Sequence, residues 1–147
     1  MKLSNDKDMM RQIMIDHSEE PNNKVDNESQ FNDYLSFHNK SSSCIDDIKV
    51  FIKIDANKIV DAKFFGLGCV ISVSSTDILC DILIGKTIKE ANKILEQYFA
   101  MISNEPYNED LLDELVVFKD IYQQANRVKC SLIGANAFKG VLNENKK

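Results

Sequence analysis

The chain has 147 residues, of which 44% are hydrophobic, and this is enough for one ordinary domain with a buried core. Its 18 basic and 23 acidic residues give a formal net charge of −5, which argues against general nucleic-acid binding because that function needs a basic surface. No apolar stretch approaches the roughly 20 residues that span a bilayer, and the polar N-terminus lacks the apolar core of a signal peptide. We therefore expect a single domain over residues 1–147, located in the cytoplasm, where thiols stay reduced.

The first half of the chain is predicted to contain one helix followed by strands. Apolar residues at helical spacing predict a helix over 6–18, and a short strand is expected around 32–37. Alternation over 47–54 predicts a half-buried strand, with Phe51 as an apolar exception on its polar side. A partner strand over 59–65 would complete a β-hairpin.

The second half is predicted to be helical. A helix is expected over 71–84, and Thr87 with Glu90 fits a capping box that opens the next helix. Further helices are predicted over 109–123, as an acidic and solvated segment, and over 130–141. This order predicts an α+β fold, with a small antiparallel three-stranded sheet and helices packed on one face.

The candidate chemistry lies in four cysteines: Cys44, Cys69, Cys80 and Cys130. Cys44 and Asp46 share one face of the extended chain that enters the 47–54 strand. Cys69 follows the second strand at a glycine-containing turn, so the hairpin would bring it to the same edge. Cys130 is predicted at the start of the last helix, a position that lowers the pKa of a thiol.

Three thiolates and one carboxylate, from Cys44, Asp46, Cys69 and Cys130, would make a four-coordinate site for Zn²⁺ or iron. Cys80 lies eleven residues after Cys69, about 16 Å along a shared helix, so it is interpreted as a small hydrophobic core residue. An alternative remains open from the spacing alone: scattered cysteines without a close Cys-x-x-Cys pair are usually core residues.

Two histidines are further potential metal ligands. His17 shares a helix face with Ile13 and Met14, which favours a packed and hydrogen-bonded side chain. His38 lies in a polar stretch, which favours exposure.

Three cysteine motifs resemble those of a known family. Residues 44–48, Cys-Ile-Asp-Asp-Ile, look like the Cys-Gly-Asp-x-Ile motif of the U-type iron–sulfur assembly proteins, the IscU and NifU N-terminal-domain family. Residues 61–72 and 127–130 look like its second and third cysteine motifs, and 10–17 looks like its opening helix. The chain is similar to the SufU branch, because Lys129 rather than His precedes the third cysteine.

An added segment, roughly 100–122, also resembles the SufU branch. The resemblance implies that Cys44, Asp46, Cys69 and Cys130 hold Zn²⁺, with a [2Fe–2S] cluster or iron as the alternative. Cys44 would be the sulfur acceptor, and Arg127 matches a position that helps to dock the desulfurase.

The implied function is iron–sulfur cluster assembly. The chain would take persulfide sulfur from a PLP-dependent cysteine desulfurase of SufS type and pass it to downstream iron–sulfur assembly proteins. Alternatives are a scaffold for a transient [2Fe–2S] cluster and a purely structural zinc domain. We expect a sulfurtransferase-like partner of the desulfurase rather than a stand-alone enzyme, present as a monomer or weak dimer, with no nucleic-acid or membrane partner.

Overall fold

A three-stranded antiparallel sheet in the order β1-β2-β3 forms one layer of the fold. The structure is a computed structural model that describes residues 2–40 and 46–144. Strand β1 is Leu35–Lys40, β2 is Asp47–Asp55 and β3 is Lys58–Leu67. The predicted hairpin and the predicted α+β class are confirmed, whereas β1 begins three residues later than the strand predicted at 32–37.

The hairpin between β2 and β3 closes through a two-residue loop. Ala56 and Asn57 have φ angles of 52° and 65°, which is the left-handed pair that a type I′ turn requires. Such a turn matches the twist of the two strands and sets the pairing next to it. A register shift between Lys53 and Ile54 adds one residue on β3, and beyond it Asp47 pairs with Leu67 at the opposite end. The start of β2 and the end of β3 therefore lie side by side.

Four α-helices follow the pattern expected from the sequence, with shifted ends: α1 is Lys7–Glu19, α2 is Val70–Leu83, α3 is Ile88–Ile102 and α4 is Ala125–Glu144. Helices α2 and α4 pack against the sheet and against each other, and α1 packs on α2. The capping box predicted at Thr87 and Glu90 is present at the start of α3. None of the described helices is long and apolar enough to cross a membrane.

The sheet buries apolar side chains on both faces. Ile48, Val50 and Ile52 of β2 are fully buried in the main core, as their alternation predicts. Phe51 points to the other face and is also buried, because the ring of Phe31 covers it at a centroid distance of 5.3 Å. The apolar exception in the predicted strand thus marks a second, smaller packing contact.

The prediction of an acidic helix over 109–123 is wrong. Three 3-10 helices occupy this region instead: Glu109–Leu111, Asp113–Phe118 and Ile121–Gln123. Asp113 has a φ angle of 49°, which interrupts any continuous α-helix. The segment is not a solvated face, because Leu115 and Phe118 are fully buried and the 3-10 helix that contains them packs against α1 and α2.

His17 fastens this segment to α1 and α2. Its Nδ1 lies 2.5 Å from Asp77 Oδ2, and its Nε2 lies 2.9 Å from Glu114 Oε1. Both partners are carboxylates, so both ring nitrogens must carry protons for both hydrogen bonds to form. Burial works to lower the pKa of His17, but the hydrogen bonds to Asp77 and Glu114 outweigh it and raise the pKa. The prediction of a packed, hydrogen-bonded histidine is confirmed.

We expect His17→Gln to lower the free energy of unfolding by roughly 1.5–3 kcal/mol at pH 6, because Gln cannot replace both charge-assisted bonds. A folded-state pKa raised above the unfolded value of about 6.5 means that the stabilisation is complete below pH 6.5. It declines as the pH rises through the folded-state pKa, since the neutral ring retains only one proton.

Urea denaturation of the wild type and the variant at pH 6 and pH 9 measures this effect. His38→Gln is the matched control, because His38 is exposed and its loss should change stability little. A difference between wild type and His17→Gln that stays constant from pH 6 to pH 9 would contradict the protonated bridge.

Candidate metal centre

Three segments of the chain converge at the edge where β2 begins and β3 ends. Asp46 immediately precedes β2, Cys69 lies between β3 and α2, and Cys130 lies in the second turn of α4. Ligand atoms of these three residues all lie within 4.8 Å of one another. The structure therefore brings together three of the four predicted ligands, and the fourth, Cys44, lies outside the described residues.

Glycine allows the strands and the turn to approach this closely. Gly66 has a φ angle of 138°, and a Cβ at this position would lie 1.9 Å from the carbonyl oxygen of Asp47. A Cβ at Gly68 would lie 2.1 Å from Ser72 Oγ and 3.2 Å from Asp46 Oδ1. A side chain at Gly66 would collide with the backbone of Asp47, and one at Gly68 would press on Ser72 and Asp46.

Asp46 is a buried carboxylate, with 1% of its surface exposed, at the N-terminus of α2. Its Oδ1 accepts hydrogen bonds from the backbone N–H of Cys69, at 3.1 Å, and from Ser72 Oγ, at 3.0 Å. Cys69 is the N-cap residue of α2. Asp46, from the segment that precedes β2, accepts from the backbone N–H of this N-cap residue, and the positive end of the helix dipole favours its negative charge.

The two thiols have opposite pKa shifts. Burial works to raise the pKa of Cys69, but hydrogen bonds from the backbone and side chain of Ser72 and from Cys130 lower it overall. Burial raises the pKa of Cys130, and hydrogen bonds to Asp46 and Cys69 raise it further. In the metal-free protein the Cys130 thiol thus retains its proton beside two acceptors.

The prediction for Cys130 needs correction. The last helix begins at Ala125, not at residue 130, so Cys130 lies beyond the first turn, where the helix dipole acts most strongly. Its pKa is raised, not lowered, because the buried thiol faces the Asp46 carboxylate. Lys129 and Arg127, the cationic neighbours of Cys130 in the sequence, are exposed.

The donor set suits a thiophilic metal ion. Two sulfurs and one carboxylate oxygen are ligands that Zn²⁺ and iron accept, whereas Mg²⁺ and Ca²⁺ prefer oxygen ligands alone. In a tetrahedral site with Zn–S bonds of about 2.3 Å, two sulfurs lie about 3.8 Å apart. Separations within 4.8 Å therefore need only a small contraction to bind an ion. The role of these residues as ligands stays a prediction.

A second cluster of His17, Asp77 and Asp81 has ligand atoms equally close together, but it does not fit a metal ion. His17 Nδ1 and Asp77 Oδ2 are 2.5 Å apart, which is a direct hydrogen bond. Asn23 Nδ2 donates to Asp81 Oδ1 at 2.8 Å. These contacts leave the cluster as part of the packing between α1 and α2.

Ser72 was not identified as functional from the sequence. It occurs inside the motif 61–72, but composition and spacing assigned it no role. A serine three residues after an N-cap position is a usable signal, since it can reach a group at the helix end. Cys80, by contrast, is fully buried in the core, as predicted.

Replacing Gly68 by Ala tests the close approach at this edge. The added Cβ would displace Ser72 Oγ and Asp46 Oδ1, and we expect the affinity for Zn²⁺ to fall roughly 10–100-fold. Competition with a chromophoric chelator measures that affinity.

Gly85→Ala is the control. The φ angle of 90° at Gly85 predicts that the variant loses stability, but the added Cβ would meet nothing within 4 Å, so metal affinity should persist. Unchanged affinity in folded Gly68→Ala would refute the steric argument.

Comparisons with known proteins agree with this architecture. The curated relative "Zinc-dependent sulfurtransferase SufU" of Bacillus subtilis is 28% identical over 138 residues, covering 92% of this chain and 91% of the relative. "Iron-sulfur cluster assembly scaffold protein IscU" of Thermotoga maritima is 32% identical over 103 residues, covering 70% of this chain and 72% of the relative.

A solved structure provides a similar match. The crystal structure of a putative iron–sulfur cluster assembly scaffold protein for the SUF system, from Fervidobacterium islandicum, superposes with a TM-score of 0.78 at 29% identity. The match covers 89% of this chain and 94% of that one. Residues 9–131 match the sequence profile of the NifU-like N terminal domain. The chain therefore belongs to the NifU-like N-terminal-domain family, within its SufU branch.

Proposed function

We propose that the chain is an iron–sulfur cluster assembly protein that accepts sulfur on Cys44 from a cysteine desulfurase and passes it on. The observation that carries this proposal is that ligand atoms of Asp46, Cys69 and Cys130 lie within 4.8 Å of one another. Cys44 is two residues before Asp46 in the chain. The relative named as a zinc-dependent sulfurtransferase covers nearly the whole chain, which supports Zn²⁺ as the bound metal.

The proposed transfer exchanges one sulfur–sulfur bond for another. The Cys44 thiolate attacks the terminal sulfur of a persulfide on the desulfurase, and the bond between that sulfur and the desulfurase cysteine breaks. The desulfurase cysteine leaves as a thiolate, so no external oxidant or reductant is needed. Bound Zn²⁺ would supply a positive charge that keeps its cysteine ligands deprotonated at neutral pH.

Different residues of the chain would hold the metal and accept the sulfur. Asp46, Cys69 and Cys130 would retain the metal while Cys44 reacts, because they are fixed by three different elements of the fold. Asp46 and Cys130 are buried, which limits access of water to a metal ion that they would hold. Such chemistry requires reduced thiols, and on this ground we assign the protein to the cytoplasm.

Exposed apolar side chains beside the centre support docking of a protein partner. Leu67 and Val70, which flank the turn that carries Cys69, are 68% and 50% exposed. Exposed aliphatic residues next to a reactive site are typical of interaction surfaces. Arg127 is exposed in the first turn of α4 and is proposed to contact the same partner, a PLP-dependent desulfurase of SufS type.

The second candidate function is a scaffold on which a [2Fe–2S] cluster is assembled and transferred. The Thermotoga relative is named as an iron–sulfur cluster assembly scaffold protein, and thiolates are the usual cluster ligands. Metal and sulfide analysis of protein purified without oxygen separates the two functions. Zinc near one per chain supports the sulfur acceptor, and iron with matching sulfide supports the scaffold.

We expect Cys44→Ser to abolish activation of the desulfurase, because an alcohol cannot replace the thiolate as sulfur acceptor. Sulfide release from cysteine, with and without the chain, measures activation. Cys80→Ala is the matched control, since it removes a fully buried core thiol and should leave activation intact. Full activation by folded Cys44→Ser would refute the sulfur-acceptor function.

We expect Leu67→Glu combined with Val70→Glu to weaken binding to the desulfurase roughly tenfold or more, because charges replace apolar contacts. Zinc content should not change. Val60→Glu is the control, because Val60 is 48% exposed on β3 away from the centre. Arg127→Ala is expected to weaken binding in the same direction. Binding unchanged in both sets of variants would exclude this surface from docking.

A further inference from the structure

The Ser72 hydroxyl occupies an unusual position in α2. The residue is fully buried, and its Oγ lies 3.0 Å from Asp46 Oδ1 and 3.1 Å from the carbonyl oxygen of Cys69. One residue thus contacts two of the proposed metal ligands.

Other buried hydroxyls of the same helix behave differently. Ser74 Oγ donates to the carbonyl oxygen of Val70 at 2.6 Å, and Thr76 Oγ1 donates to the carbonyl oxygen of Ser72 at 2.7 Å. These are bonds back to the preceding turn, which are common for hydroxyls inside helices. Ser72 reaches out of its helix to a carboxylate that precedes another strand.

Neighbouring atoms hold this hydroxyl in place. A Cβ added at Gly68 would lie only 2.1 Å from Ser72 Oγ, which shows that the backbone of Gly68 packs directly against the hydroxyl. Among the described residues, the Ser72 hydroxyl and the Cys69 N–H donate to Asp46 Oδ1 and constrain the orientation of the carboxylate. Polar partners that orient a ligand in this way strengthen metal binding by limiting its rotation.

We propose that Ser72 is a positioning residue of the metal centre, which holds the Asp46 carboxylate in one orientation beside Cys69. This hydroxyl keeps the set Asp46, Cys69 and Cys130 competent to retain the metal while Cys44 is engaged in sulfur transfer. The inference rests on the proposed metal site and not on the direction of sulfur transfer.

Zinc affinity of the full chain provides the test, measured by competition with a chromophoric chelator. We expect Ser72→Ala to bind Zn²⁺ roughly 10–100-fold more weakly than the wild type, the range found when polar partners of metal ligands are removed. Ser74→Ala is the matched control, because it removes a buried hydroxyl of the same helix that bonds only backbone atoms in this structure, and it should bind as the wild type does.

A double-mutant cycle shows whether Ser72 acts through Asp46. Removing the hydroxyl in an Asp46→Ala background should have a much smaller effect on affinity than in the wild type, because the carboxylate that it orients is absent. The absorption bands of the Co²⁺-substituted protein should shift in Ser72→Ala and not in Ser74→Ala, since a structural change elsewhere would leave the ligand geometry unaltered.

Folding is controlled separately. Ala is a better helix former than Ser, so the metal-free variant should fold, and its thermal midpoint compared with that of Ser74→Ala verifies this. Ser72→Thr retains the hydroxyl and is expected to retain affinity near that of the wild type.

Each outcome has a defined meaning. No Zn²⁺ binding by the wild type would refute the proposed metal site itself. Wild-type affinity in folded Ser72→Ala, or an equal loss in the Asp46→Ala background, would refute the positioning role alone. Weak binding in both Ser72→Ala and Ser72→Thr would also overturn it.

Discussion

The buried Asp46 carboxylate at the N-terminus of α2 is the interaction on which the arrangement of the centre depends. A carboxylate almost without solvent contact is unfavourable unless hydrogen bonds and nearby positive potential compensate for its lost hydration. Here the compensation comes from the Cys69 N–H, the Ser72 hydroxyl and the helix dipole. These same groups tie the start of β2 to the turn that carries Cys69, so one charge fixes two ligand-bearing segments.

This constraint explains why the turn tolerates so little variation in side-chain size. The carboxylate can reach the helix end only if Gly68 presents bare backbone, and the strands can close only if Gly66 does the same. The geometry of the centre therefore depends on two residues that lack a Cβ. A substitution at Gly68 would contact Asp46 Oδ1 directly, whereas one at Gly66 would act through the backbone of Asp47.

Much of the fold follows from local patterns, because the alternation in β2, the capping box of α3 and the glycine turn each have a direct physical meaning. The prediction for 109–123 is wrong because the acidic composition suggested exposure, whereas residues such as Leu115 are buried. The left-handed φ angle of Asp113 depends on tertiary packing and not on a local sequence pattern. The burial of Phe51 likewise depends on a distant loop.

For the centre, the motifs predicted that Asp46, Cys69 and Cys130 belong to one site, and their ligand atoms lie close together. The register of β2 and β3 explains how the segments that carry Asp46 and Cys69 meet. Spacing alone could not distinguish these cysteines from core residues. The role of Ser72 was not predictable from composition, because it arises from the direction of one hydroxyl rather than from a residue type that signals chemistry.

The burial of Cys80 has a consequence for oxidative damage. Its thiol is fully buried, and burial raises its pKa, so it presents almost no reactive thiolate to an oxidant. Cys69 is partly exposed and has a lowered pKa, which makes it much the easier target. In the metal-free protein, peroxide would therefore modify Cys69 before Cys80, and the damage would reach the proposed metal centre before the core.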